Sequence, residues 1–151
     1  MEKYGVGRIK NTNSPPTLEL RNLMNFNQGV KMMSQEEDTT ILFIAIAKDD
    51  IGKRILETEA DVEDETEHYA TMTLSAKEYY SIDELLRSMI KPCDVFIDAG
   101  ESSTMEARRV QKAKEMTLEF AKKNPETRVA CDKMIKMFDI ALKYNRDIDF
   151  A

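Results

Sequence analysis

Apolar residues in this chain fall into alternating and helical patterns whose order predicts the architecture. TTILFIAIA, residues 39 to 47, is a continuous run of β-branched, aromatic and small apolar side chains. It is apolar on both faces and too short for a typical buried helix, which predicts a central strand of a covered sheet. HYATMTL, 68 to 74, alternates Tyr69, Thr71 and Thr73 with Ala70, Met72 and Leu74, the period-two pattern of a strand with one buried face. CDVFIDA, 93 to 99, alternates again, with Val95 and Ile97 on one face and Phe96 and Asp98 on the other; Phe96 is expected to pack against a helix, so that both faces are covered.

Between and after these strands the apolar period lengthens to that of helices. Asp49 or Asp50 is placed to cap a helix carrying Ile51, Ile55 and Leu56. Ser81-Ile-Asp-Glu84 has the form of a capping box ahead of Ile82, Leu85, Leu86, Met89 and Ile90, and Pro92 stops that helix. A second box, Ser103-Thr-Met-Glu106, predicts a helix running to Asn124 with Val110, Ala113, Met116, Thr117 and Phe120 on its apolar stripe. Asn124-Pro125 then ends it and opens another, faced by Val129, Met134, Met137, Phe138, Ala141 and Leu142. The order β-α-β-α-β-α-α predicts an α/β domain over 39–151: a small three-stranded, mainly parallel sheet with right-handed crossovers and flanking helices.

Residues 1–38 predict something different, an extended N-terminal arm. NTNSPP has turn chemistry, and Pro15-Pro16 excludes a helix through that point. Only TLELRNLMNF, 17 to 26, has the content of a short helix, and its Leu18, Leu20, Leu23, Met24 and Phe26 are costly to leave in water. Those five are the candidate partner-binding residues.

Composition narrows the class. A chain of 151 residues can bury a core without metal or disulfide staples, and 42% apolar with 33% charged residues places it among soluble globular proteins. Ten methionines and no tryptophan indicate a malleable core. The longest apolar run, Ile41 to Ala47, is far short of the roughly 20 residues a membrane span needs, and MEKYGVGRIKN has no apolar signal region; a cytoplasmic protein without membrane partners is expected. Cys93 and Cys131 match no zinc or redox spacing and are expected to be small buried hydrophobes. A net charge of −6 argues against nucleic acid as a partner. The charge is unevenly spread: residues 1–35 hold Lys3, Arg8, Lys10, Arg21 and Lys31 against Glu2 and Glu19, whereas residues 49–67 hold nine carboxylates against Lys53 and Arg54. The acidic run 61–67 is either a solvated connection or a docking surface for a basic partner.

In open parallel sheets ligands sit beyond the carboxyl ends of the strands, where this sequence would place Asp49, Asp50 and Asp98. These three carboxylates are the candidate Mg²⁺ ligands, with a helix starting at Ser103 to offer N–H groups to an anion. The same residues have plainer roles as helix caps around a tight turn at Gly100. IDELLRSMIKPCDVFIDAGESS, 82 to 103, resembles the helix, strand and turn around the second acidic motif of partition-type P-loop ATPases; TILFIAIAKDD is similar to the strand preceding it, and KYGVGR to the phosphate-binding loop. The resemblance implies that Asp98 holds a Mg²⁺-bound water. Arg8 and Ile9 stand where that loop carries Lys followed by Ser or Thr. Residues 83–115 are also similar to TIR-like domains, in which a helix after such a strand carries a catalytic Glu, here Glu106 or Glu115. His68, the only histidine, has no Ser or Cys identifiable as a dyad partner. The function expected is therefore that of a non-catalytic interaction or assembly protein without a cofactor, docking a protein partner or a second copy through its arm. The alternative is a Mg²⁺-dependent nucleotide-binding enzyme of degenerate P-loop or TIR-like type.

Overall fold

The computed structural model describes residues 39–59 and 61–151, so the arm at 1–38, with Leu18, Leu20, Leu23, Met24 and Phe26, lies outside the described residues. Four strands, β1 (Thr40–Ala47), β2 (Tyr69–Ser75), β3 (Ser103–Met105) and β4 (Ile148–Phe150), form one sheet in the order β2-β1-β4-β3, and every neighbouring pair is antiparallel. The helices are α1 (Asp50–Thr58), α2 (Ala76–Ser81), α3 (Asp83–Ser88), α4 (Val110–Lys123) and α5 (Arg128–Tyr144). Among the described residues no helix is long and apolar enough to cross a membrane.

The antiparallel sheet overturns the three-stranded, mainly parallel arrangement predicted from the alternation of strands and helices. A parallel crossover after β1 would have to carry the chain back along the whole strand. Instead the chain leaves at Ala47 and re-enters at Tyr69, directly opposite Ala47. The acidic loop makes this possible by folding against β2: Thr66 and Thr71 donate backbone N–H groups to Tyr69 and Asp64 carbonyls at 2.8 and 2.7 Å, and the Thr71 hydroxyl donates to the Glu63 carbonyl at 2.9 Å. Lys48 secures it from the other side, its ammonium 2.9 Å from Glu65 and 2.8 Å from the Thr66 carbonyl. The loop thereby blunts the free edge of β2, which would otherwise offer unpaired backbone groups.

Alternation along β1 sets the layers. Leu42, Ile44 and Ile46 are fully buried and share a core with Phe138, Met134, Met137, Leu74 and Phe150. α2 and α5 pack on this inner face, and α4 lies against α5. Cys93 and Cys131 are free thiols inside this core, where burial pushes both pKa values up.

Three local expectations also change. The helix expected from the Ser81 box is present as α3, but Ser81 does not cap it: an additional helix, α2, ends there, and the working capping box lies six residues earlier, where the Ser75 hydroxyl accepts from Glu78 N–H at 3.2 Å while the Glu78 carboxylate accepts from Ser75 N–H at 2.9 Å. Ser103 caps nothing; it opens β3, and α4 begins only at Val110. Residues 93–99 do not pair as a strand. Val95 and Ile97 are buried as their alternation predicts, but Phe96 is 52% exposed rather than packed under a helix.

Candidate functional site

The outer face of β1 carries Phe43, Ala45 and Ala47. Two alanines in a row of alternate positions leave a trough, and the elements beside it raise the walls of a groove of about 650 Å³. α1 contributes Lys53, Leu56 and Glu57; β3, β4 and the turn before β4 contribute Thr104, Asp149, Asn145, Arg146 and Asp147. The turn is built by Asn145, which ends α5 in the left-handed region (φ 54°) and lets Arg146 N–H return to the Ala141 carbonyl at 3.0 Å, a reversal that Asn tolerates better than most side chains.

The groove's carboxylates are largely spoken for. Asp147 accepts the Ala107 N–H at 2.8 Å, and Asp149 accepts the Thr104 hydroxyl at 2.8 Å. Arg146 stands 3.7 Å from Asp50 on the rim. Lys53 and Glu57 make no side-chain ion pair among the described residues and are exposed. An apolar floor with a mixed-charge rim suits binding; among the described residues the lining holds no Ser, Cys or His.

Asp49 and His68 form a polar cluster at the start of α1. Asp49 caps α1, accepting Gly52 N–H at 2.8 Å through one oxygen, while its other oxygen faces His68 Nδ1 at 2.8 Å. Nε2 of the same ring faces Glu67 at 3.3 Å. The Asp49 hydrogen bond raises the His68 pKa above its ordinary value, and the same bond, with the Gly52 N–H, lowers that of Asp49. With a carboxylate at each ring nitrogen, the imidazole is held as a cross-brace whose protonated form is favoured. Gly52 makes the brace possible: a Cβ there would lie 1.8 Å from the His68 carbonyl oxygen, which itself accepts Lys48 N–H at 2.8 Å.

The three predicted metal ligands make separate contacts. Asp49 is the cap just described, and Asp50 begins α1 and faces Arg146. Asp98 accepts a hydrogen bond from the Tyr79 hydroxyl at 3.3 Å, and the same hydroxyl accepts from Ala99 N–H at 3.3 Å; burial raises the Tyr79 pKa. Among the described residues no group of three or more His, Cys, Asp or Glu side chains is placed to hold a metal ion. The turn at 98–101 closes with Glu101 N–H on the Asp98 carbonyl at 3.1 Å and uses Gly100 at φ 89°, a position that favours glycine. No helix begins at Ser103, so the expected anion-binding helix terminus is not there. Glu106 lies between β3 and a 3₁₀ turn (Ala107–Arg109) and pairs with Arg108, while Glu115 on α4 accepts from Gln111.

Sequence reasoning missed the groove because two of its walls, β3 and β4, are three-residue strands; the small outward residues of β1 were its only local signal. Comparison with protein families, with curated proteins and with solved structures gives no match for this chain.

Proposed function

We propose that the chain is a non-catalytic interaction or assembly protein whose segment 1–38 docks onto a protein partner or a second copy. The observation that carries this reading is the engagement of the reactive groups: His68 has a carboxylate at both ring nitrogens, Asp49 and Asp98 serve backbone-positioning contacts, and both thiols are buried. What remains open is binding surface, an apolar-floored groove with a charged rim. The arm adds five large apolar side chains within ten residues, Leu18 to Phe26, next to chemistry that resists regular structure. Burying three such side chains contributes roughly 5–8 kcal/mol before ordering costs.

Sedimentation velocity of the full chain over a concentration series tests the reading for self-assembly. Leu20→Asp with Leu23→Asp should abolish association while leaving the melting temperature nearly unchanged. A wild-type chain that stays monomeric throughout, or a variant that associates equally well, removes arm-driven self-assembly. In the same samples, ATP with Mg²⁺ should leave the backbone resonances of Asp98 to Thr104 unmoved; saturable shifts confined to that turn and Asp49 would favour a nucleotide-binding enzyme instead.

A further inference from the structure

Past Asp94, which stands in the left-handed region at φ 51°, the chain runs from Val95 to Asp98 without turn or bend, and its residues alternate between buried and accessible as a strand's do. Val95 and Ile97 are 5% and 4% exposed and anchor the stretch in the core, while Phe96 is 52% exposed. Yet no backbone N–H or C=O from Asp94 to Ile97 has a hydrogen-bond partner among the described residues. Buried backbone groups in folded proteins are paired almost without exception, and exposed ones bond to water. A held, straight and unpaired segment is a template for an incoming strand.

The charges around it define what would add. In a strand, alternate residues turn their backbone groups to the same edge, so Phe96 and Asp98, the accessible pair, share one edge, on which Glu101 N–H already takes the Asp98 carbonyl. Asp83 is close enough to act on the Tyr79 hydroxyl that bonds Asp98, making that end acidic. At the other end Arg109 reaches the Pro92 carbonyl at 3.3 Å, and its Nε is one of two buried side-chain polar atoms with no hydrogen-bond partner among the described residues. The second is the Ser103 hydroxyl, which follows the stretch in sequence.

We propose that Val95–Asp98 is an acceptor edge for an extended peptide segment of a protein partner that carries an apolar side chain beside Phe96 and, two positions along on the same face, a lysine or arginine beside Asp98. A carbonyl or carboxylate of the incoming strand would fall within reach of Arg109. This site shares no described residue with the β1 groove.

The test uses the full chain and two probe peptides, acetyl-Thr-Val-Ile-Val-Arg-amide and its reverse, which cover both strand directions, with controls in which Glu replaces Arg. At least one Arg peptide should bind saturably, shift the amide resonances of Val95 to Asp98, slow Phe96 amide exchange at least tenfold, and bind at least tenfold more tightly than its Glu control. Asp98→Lys should reverse the charge preference, and Phe96→Ala should weaken binding without unfolding the protein. Equal binding of Arg and Glu peptides, shifts elsewhere, or no binding overturns the proposal, and so does a Phe96 amide already protected in the free protein. Protection that grows with protein concentration would assign the edge to a second copy, and protection independent of concentration to this same chain.

Discussion

Replacing Gly52 with alanine should destabilise the protein although the position is helical. In an exposed helix the change gains about 1 kcal/mol, because glycine has the greater backbone entropy to lose. Here the new Cβ would lie 1.8 Å from the His68 carbonyl oxygen and 2.7 Å from its carbon, both backbone atoms of the segment leading into β2. Neither can rotate away, so α1 must move outward by more than an ångström. That motion stretches the Asp49 cap on Gly52 N–H, the Asp49–His68 pair and the Lys48 bond to His68, each 2.8 Å. Overpacking costs about 1–3 kcal/mol, and a weakened cap and a lost hydrogen bond about 1 kcal/mol each. After the helix gain, a net loss of about 2–4 kcal/mol is expected, which for a chain of this size lowers the melting temperature by roughly 5–15 °C. Thermal and urea denaturation followed by far-ultraviolet circular dichroism measure both. A Gly52→Ala protein as stable as wild type, or more so, would refute the close approach of α1 to β2. Because Lys53, Leu56 and Glu57 ride on α1, the substitution should also alter the groove.

Three further outcomes follow from the contacts. The His68 pKa is raised from 6.5, so its pairing stabilises the fold fully below that value and is lost as pH rises through the folded-state pKa; Asp49, lowered from 3.8, loses its contribution only as pH falls through its own depressed value. The stability difference between wild type and His68→Gln should therefore shrink between about pH 5 and about pH 9 in urea titrations, and a constant difference contradicts the cross-brace. Val95→Asp should cost more than about 4 kcal/mol, as an unpaired buried charge, and Phe96→Ala only about 1 kcal/mol; similar melting temperatures for the two would mean that the stretch is misassigned. Ser75→Ala should cost about 1 kcal/mol through the capping box, whereas Ser103→Ala, removing a buried hydroxyl without a partner among the described residues, should be neutral or slightly stabilising; the opposite order in chemical denaturation would restore Ser103 as a helix cap.

Periodicity located what has local causes. β1, β2 and the break at Asn124-Pro125 are where the alternation, the β-branched run and the proline place them. Strand direction was not legible, because it depends on where the 59–68 loop returns the chain, and that is decided by Lys48, Thr66 and Thr71 meeting partners many residues away. Ser75 and Ser103 show why a short motif misleads. Both precede a glutamate by three residues, but only Ser75 is followed by a helix whose apolar side, at Tyr79, meets the core. CDVFIDA reads as a strand because its side chains are a strand's; whether a strand is paired is a property of its neighbours and leaves no mark in its own sequence. The Asp49–His68 brace was within reach of inspection only through the registry of β1 with β2, which sets residue 47 opposite residue 69.

The pairing of β1 with β4 bears on how this unit can be rewired. Phe43 and Ala151 exchange two backbone hydrogen bonds of 2.8 Å, so positions 40 and 151 lie a few residues apart at one margin of the sheet. In the 40–151 unit taken without residues 1–39, a short glycine-rich bridge can join them, and new ends can then be opened at the exposed Gly100–Ser102 turn. Such a circular permutant would make the β4–β1 junction a local hairpin in place of the longest-range contact of the sheet. Its refolding should be faster than that of the natural order, with the same four strands as its product.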